Sequence, residues 1–186
     1  MMPQAGWPVV LYGHGMGATF REGVDTLAPV VSSEGLAVLS WEAPLHGARV
    51  TGSKTAPLAL WTNLRNPVAV RGSHFQGASD IFALVKAIEA FNVPADQSPT
   101  GRAIRFDSSK IGYFGHGLGA TLGAIAVPYD PRVGITVWSG LGASWTERLL
   151  NQREPLDVAY GMGLKLQESA DGDAGGVEKR HPVLNL

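Results

Sequence analysis

Two short runs of one form constrain this chain more than any other feature: Gly13-His14-Gly15-Met16-Gly17 and Gly115-His116-Gly117-Leu118-Gly119. Each follows a short β-rich apolar run and precedes a helical pattern. Glycine lets the backbone turn sharply and lets neighbouring chain approach without a Cβ in the way. A strand that ends in such a turn and leads into a helix is a building unit of parallel α/β sheets. The chain has 24 glycines, and these two clusters are placed rather than scattered.

The remaining pattern supplies the alternation such a sheet needs. Pro8 to Tyr12 reads as a buried strand. Phe20 to Glu34 carries Val24, Leu27 and Val31 at helical spacing, with Pro29 expected to kink or shorten the helix and Gly35 to stop it. Leu36 to Ser40 is the second strand. Residues 48 to 76 show no clear period and are expected to form a long surface excursion of the kind that carries functional loops. Gly77 to Phe91 is the clearest helix, with Ile81, Leu84, Val85, Ile88 and Phe91 on one stripe. Residues 94 to 109 read as a polar link, Ile111 to Phe114 as a third strand, Gly119 to Val127 as a small-residue helix and Val133 to Trp138 as a fourth strand. Strand, helix, strand, helix, strand, helix, strand predicts a mainly parallel sheet with right-handed crossovers. Beyond Ser139 the pattern weakens, and residues 167 to 180 look solvated.

Composition excludes several classes. Apolar residues are 45% and charged residues 17% of the 186, enough for a packed core in one domain. A net charge of -1 supplies no basic stripe for nucleic acid. No apolar run nears the ~20 residues of a membrane span. Met1 to Gly6 shows neither a basic n-region nor an apolar h-region, so no signal peptide is visible. The absence of cysteine removes disulfides, thiolate catalysis and Cys-based zinc sites. No cofactor and no metal is expected.

The second glycine run has the strand-to-helix context and the outer glycines of G-x-S-x-G, the nucleophile elbow that lifts a serine above the sheet edge. Its centre is Gly117, which has no oxygen with which to attack an ester. The first run stands where such a fold supplies an oxyanion-hole N–H. Glu42-Ala43-Pro44-Leu45-His46-Gly47 follows the second strand, and so lies at the same carboxyl edge, where open α/β sheets bind ligands.

Taken in order, GHGMGA, EAPLHG and GHGLGA resemble the α/β-hydrolase family, nearest its bacterial esterases and lipases, over roughly Pro8 to Ser144. The resemblance implies a three-layer α/β fold and an ancestral serine-dependent ester hydrolysis. It places Gly15 and Met16 at the oxyanion loop, Gly117 at the serine position and the N–H of Leu118 as the second oxyanion donor. It also implies a single domain over 1–186, with a core over about 8–144 and a lid-like or flexible tail over 145–186. The sheet is expected to be truncated at both ends, leaving Leu36 to Ser40 and Val133 to Trp138 as edges prone to self-association. The acid and histidine of the family follow late strands. Asp171 or Asp173 before His181 has their order but no strand between.

Other roles remain open. A chain that keeps the pocket but not the chemistry is a binding module for a small ester-like molecule. Gly13-His14-Gly15-Met16-Gly17-Ala18 also fits G-x-G-x-x-A, the NAD-type dinucleotide fingerprint, with Glu42 near the place of a ribose-binding acid. His14 and His116 are expected to bond locally, His46 to order its loop, His74 to be exposed, and the five tryptophans to serve packing or a lid.

Overall fold

The structure is a computed structural model that describes residues 3–50, 60–63 and 66–142 together with 144, 147, 151, 157 and 160. The chain divides into two compact units, Met1–Leu141 and Gly142–Leu186, and the architecture below is that of the first. Asp171, Asp173 and His181 lie outside the described residues, as do residues 51–59 of the expected excursion.

Strand β1 (Trp7–Gly13) leads into a helix over residues 21–32 whose middle, Gly23–Leu27, is a π-helix and whose end is α1 (Ala28–Ser32). Pro29 explains the widening. A proline ring clashes with the carbonyl four residues earlier and donates no N–H, and a π-bulge is one way a helix absorbs such an interruption. Strand β2 (Ala37–Ser40) follows, then α2 (Pro67–Ala90), a two-residue β3 (Asn92–Val93), β4 (Ile104–His116), α3 (Leu118–Ala126) and β5 (Val133–Ser139).

The parallel strands lie in the order β2-β1-β4-β5, and β3 adds an antiparallel pair beside the start of β4. The order reverses between β1 and β4, which run in register from Val9↔Ile111 to Gly13↔Gly115. That reversal is where a doubly wound sheet opens a crevice at its carboxyl edge, and both glycine runs end there. Val9, Leu11, Ile111 and Tyr113 point to one face and meet Ala78, Ile81, Val85 and Ile88 of α2 and Leu118, Leu122 and Ala126 of α3 in the core. Tyr12 and Phe114 point the other way, toward the π-helix, where Gly23 closes on the Tyr12 ring. With helices on both faces, the molecule is a three-layer α/β fold with a mainly parallel sheet. β2 and β5 are the outer parallel strands, and Ile135 and Val137 of β5 are 69% and 50% exposed.

Three expectations are corrected. The helix before β3 begins at Pro67, ten residues earlier than the apolar stripe suggests, so the unpatterned stretch is shorter than predicted. Asn66 caps it by accepting the Ala69 N–H, and Pro67 takes the first helical position, where a missing N–H costs nothing. β4 starts at Ile104, inside the predicted polar link. Its polar residues fall in a bulge: β1 advances from Trp7 to Val9 while β4 advances from Phe106 to Ile111, and the Asp107 carboxylate accepts from Ser109 within it. His74, predicted exposed, is 7% exposed, because the early start of α2 turns it inward against Trp61.

Candidate functional site

The two glycine runs bring their backbones together at the carboxyl ends of β1 and β4. The Gly119 N–H donates to the His14 carbonyl at 2.9 Å, and the Gly117 N–H donates to the Ser139 carbonyl at 2.8 Å, tying β5 to the same corner. A Cβ on Gly119 would lie 2.0 Å from the Gly13 carbonyl oxygen, so this position admits glycine alone. Gly117 is different. Its φ of 52° and ψ of -106° are strained for any other residue, yet a Cβ there would meet only the Gly15 Cα, at 3.6 Å. The turn holds a conformation that side chains resist and leaves room for one.

The first run is locked by two histidines. His14 is fully buried; its Nδ1 donates to the Gly15 carbonyl at 2.8 Å and its Nε2 accepts the Ala43 N–H at 3.0 Å. His46, also fully buried, answers from the loop after β2: its Nδ1 donates to the Pro44 carbonyl at 2.9 Å and its Nε2 accepts the Gly17 N–H at 3.0 Å. Each loop thus offers an imidazole to a backbone N–H of the other, which fixes both rings as the neutral Nδ1–H tautomer. The rings meet edge to face at 4.9 Å, and His46, Trp61 and His74 continue the line into α2. The Trp61 indole donates to the Pro44 carbonyl. Burial holds the His46 pKa below its ordinary value, partly offset by the bond to Pro44.

Of the residues predicted for the site, Gly15 and Gly117 come together, with Met16 and Leu118 as their neighbours in the chain. The Gly15 N–H donates to the Glu22 carboxylate at 3.1 Å. The N–H groups of Met16 and Leu118 meet no acceptor among the described residues. His116 is exposed, and its Nδ1 lies 3.0 Å from the Ser139 hydroxyl. The Glu42 carboxylate accepts the Phe20 N–H at 3.2 Å. Among the described residues, no three His, Asp or Glu side chains gather as metal ligands, and no helix is long and apolar enough to cross a membrane.

Sequence reasoning missed Glu22, Tyr12 and Ser139. Glu22 lies seven residues beyond Gly15, and no spacing rule shows that its helix folds the carboxylate back onto that N–H. Tyr12 is the strand residue before the first run; burial, and then the charge of Glu22, push its phenol well up from the ordinary range. Ser139 reaches the site only because β5 pairs with β4 in the register His116↔Ser139.

No family model and no curated relative matches this chain. Among solved structures it is similar to a cold-adapted esterase from an Arctic intertidal metagenomic library, seen bound to polyethylene glycol, at 18% identity and a TM-score of 0.48, over 74% of this chain and 50% of that one. It is also similar to DcsB in complex with its substrate analogue, at 20% identity and a TM-score of 0.48, over 89% of this chain and 46% of that one. The chain spans about half the length of each.

Proposed function

We propose that this chain has the α/β-hydrolase fold of a serine acyl hydrolase, keeps the nucleophile elbow, binds a small ester-like molecule at the carboxyl edge of the sheet and does not hydrolyse it. The observation that carries the reading is Gly117. Its backbone has φ 52° with ψ -106° at a strand-to-helix turn, and the space above it fits a side chain. A serine hydrolase bears that strain to raise an Oγ above the sheet. Here the same position bears no oxygen, and glycine adopts a positive φ at little cost. Without a nucleophile the oxyanion donors have no tetrahedral intermediate to stabilise. The N–H groups of Met16 and Leu118, both without an acceptor among the described residues, remain suited to a ligand carbonyl. The outer position of β2 and β5 among the described strands, and the exposed Ile135 and Val137 of β5, favour pairing with a second chain, to be followed by light scattering.

Nothing favours the dinucleotide alternative. A pyrophosphate needs the free N–H groups of the glycine turn and the helix after it. The Gly15 and Phe20 N–H groups are held by the carboxylates of Glu22 and Glu42, and two negative charges there repel a phosphate.

The test is a titration with phenyl acetate followed by calorimetry, beside a stopped-flow assay with p-nitrophenyl acetate. Saturable heat with no burst of nitrophenolate is expected. One equivalent of nitrophenolate released per chain overturns the loss of chemistry, and absence of saturable binding overturns the binding role.

A further inference from the structure

A cleft of about 220 Å³ opens on the π-helix face of the sheet, lined by Tyr12, Glu22, Thr26, Leu27, Phe114 and His116. It is smaller than the ~300 Å³ at the low end of ordinary ligand pockets, which restricts it to a small occupant. Tyr12 and Phe114 are register partners on β1 and β4, with their rings edge to face at 5.5 Å. Glu22, Thr26 and Leu27 come from one helix, at and beside its π-helical turn, a place where such turns often carry function.

An account of donors and acceptors decides what fits. An ionised carboxylate has about four acceptor sites. The Gly15 N–H takes one on Glu22, and the Tyr12 phenol faces the same carboxylate. The Thr26 hydroxyl gives its proton to the Glu22 carbonyl, so its oxygen turns lone pairs outward. Among the described residues no lysine or arginine lines the cleft; Arg21, the neighbour of Glu22 in the chain, is exposed and faces Asp25 at 3.9 Å. The lining therefore presents one carboxylate, hydroxyl lone pairs, the rings of Tyr12 and Phe114 and, at its edge, the His116 imidazole, whose Nδ1 is turned to the Ser139 hydroxyl. A carboxylate or phosphate would be repelled there, whereas a cation over an aromatic ring is attracted by the ring's quadrupole.

We propose that this cleft binds the ammonium group of a small organic molecule, its N–H groups on the Glu22 carboxylate and the Thr26 oxygen, its charge beside the Phe114 ring and its alkyl part against Leu27. The inference rests on the small-molecule reading above and adds the charge of the ligand to it. Glu22, which in a hydrolase turn of this kind would compete with an oxyanion for the Gly15 N–H, here becomes the recognition group.

The experiment is an NMR titration of the intact chain with n-butylammonium chloride and, separately, with 1-butanol at the same ionic strength. The two probes match in shape and differ in charge. Shifts at the Gly15, Thr26 and Phe114 amides are expected, with the ammonium binding about tenfold more tightly. Glu22→Gln keeps a carbonyl oxygen for Gly15 but not the charge, and should bring the ammonium to the level of the alcohol. Asp25→Asn, a charge outside the cleft, should leave both unchanged. If Glu22→Gln does not fold, Phe114→Leu serves instead and should weaken the ammonium several-fold more than the alcohol. Equal binding of the two probes, no binding of either, or a preference that survives Glu22→Gln overturns the proposal. Its failure is separable from failure of the functional reading, which an acylated serine would overturn without touching the ammonium preference.

Discussion

The two glycine runs have the same spelling, G-H-G-x-G, and the same place between a strand and a helix, but the fold uses them in opposite ways. In the first, the histidine and the two glycines after it are committed. His14 is buried and bonded at both ring nitrogens, Gly15 gives its N–H to Glu22, and Gly17 gives its own to His46. In the second, the outer position Gly119 is fixed by the Gly13 carbonyl, while the centre is sterically open and His116 is exposed, with its Nδ1 beside the Ser139 hydroxyl. The difference separates two reasons for a glycine that sequence cannot tell apart. One is packing, which forbids a side chain. The other is backbone conformation, which makes a side chain costly while leaving room for it.

Substitutions should reproduce that division in order of size. Gly119→Ala drives a methyl into a backbone carbonyl that cannot move without breaking β1 from β4. It should cost about 3 kcal/mol or more, or prevent folding, in urea melts. His14→Ala leaves the buried Ala43 N–H unpaired and opens a cavity, for about 2–3 kcal/mol by the same measurement. Gly117→Ala meets no clash and bears only the positive φ, so about 1–2 kcal/mol is expected. A loss at Gly117 equal to that at Gly119 would erase the distinction between a glycine held by packing and one held by backbone conformation.

Acidity sharpens the comparison further. The native chain holds His46 neutral with its pKa below the ordinary 6.5, so above about pH 7 neither the folded nor the unfolded chain binds the proton. As pH falls from about 6.5 toward the depressed value, the unfolded chain takes the proton first and stability drops, by less than the ~1.4 kcal/mol per pH unit that one proton allows. Denaturant melts across that window should show the slope, and His46→Gln should flatten it. His116→Ala, on the open side of the comparison, should change stability by no more than ~0.5 kcal/mol.

Much of the fold is legible because it rests on local chemistry. The apolar runs near Val9, Val38 and Val137 and the stripe through Ile81, Val85 and Ile88 fix strands and helix by period alone, and the glycine runs fix where they turn. What escapes is set by partners distant in sequence. Asp107 to Lys110 look like a link because their polarity serves a bulge that appears only when β4 lies beside β1. The Asn66-Pro67 start of α2 is a cap signal that the unpatterned residues before it obscure. At the site, Gly15 and Gly117 are legible as motif positions. The commitment of Gly15 to Glu22 follows from how the helix after β1 folds back, and the Tyr12 and Phe114 floor and the approach of Ser139 follow from strand register, neither of which the sequence displays.

On the proposed reading, the turn at Gly117 is a nucleophile elbow without its nucleophile. The most direct test is to treat the intact wild-type chain with a fluorophosphonate and read its mass, mapping any adduct by peptide digestion. The same treatment of Gly117→Ser asks whether a hydroxyl restored at that turn is accepted there. No adduct is expected on the wild type, and only slow labelling of the variant, at that residue alone, because His116 is turned to the Ser139 hydroxyl. An adduct on the wild-type chain at a serine beside the turn, above all at Ser139 next to His116, would contradict it.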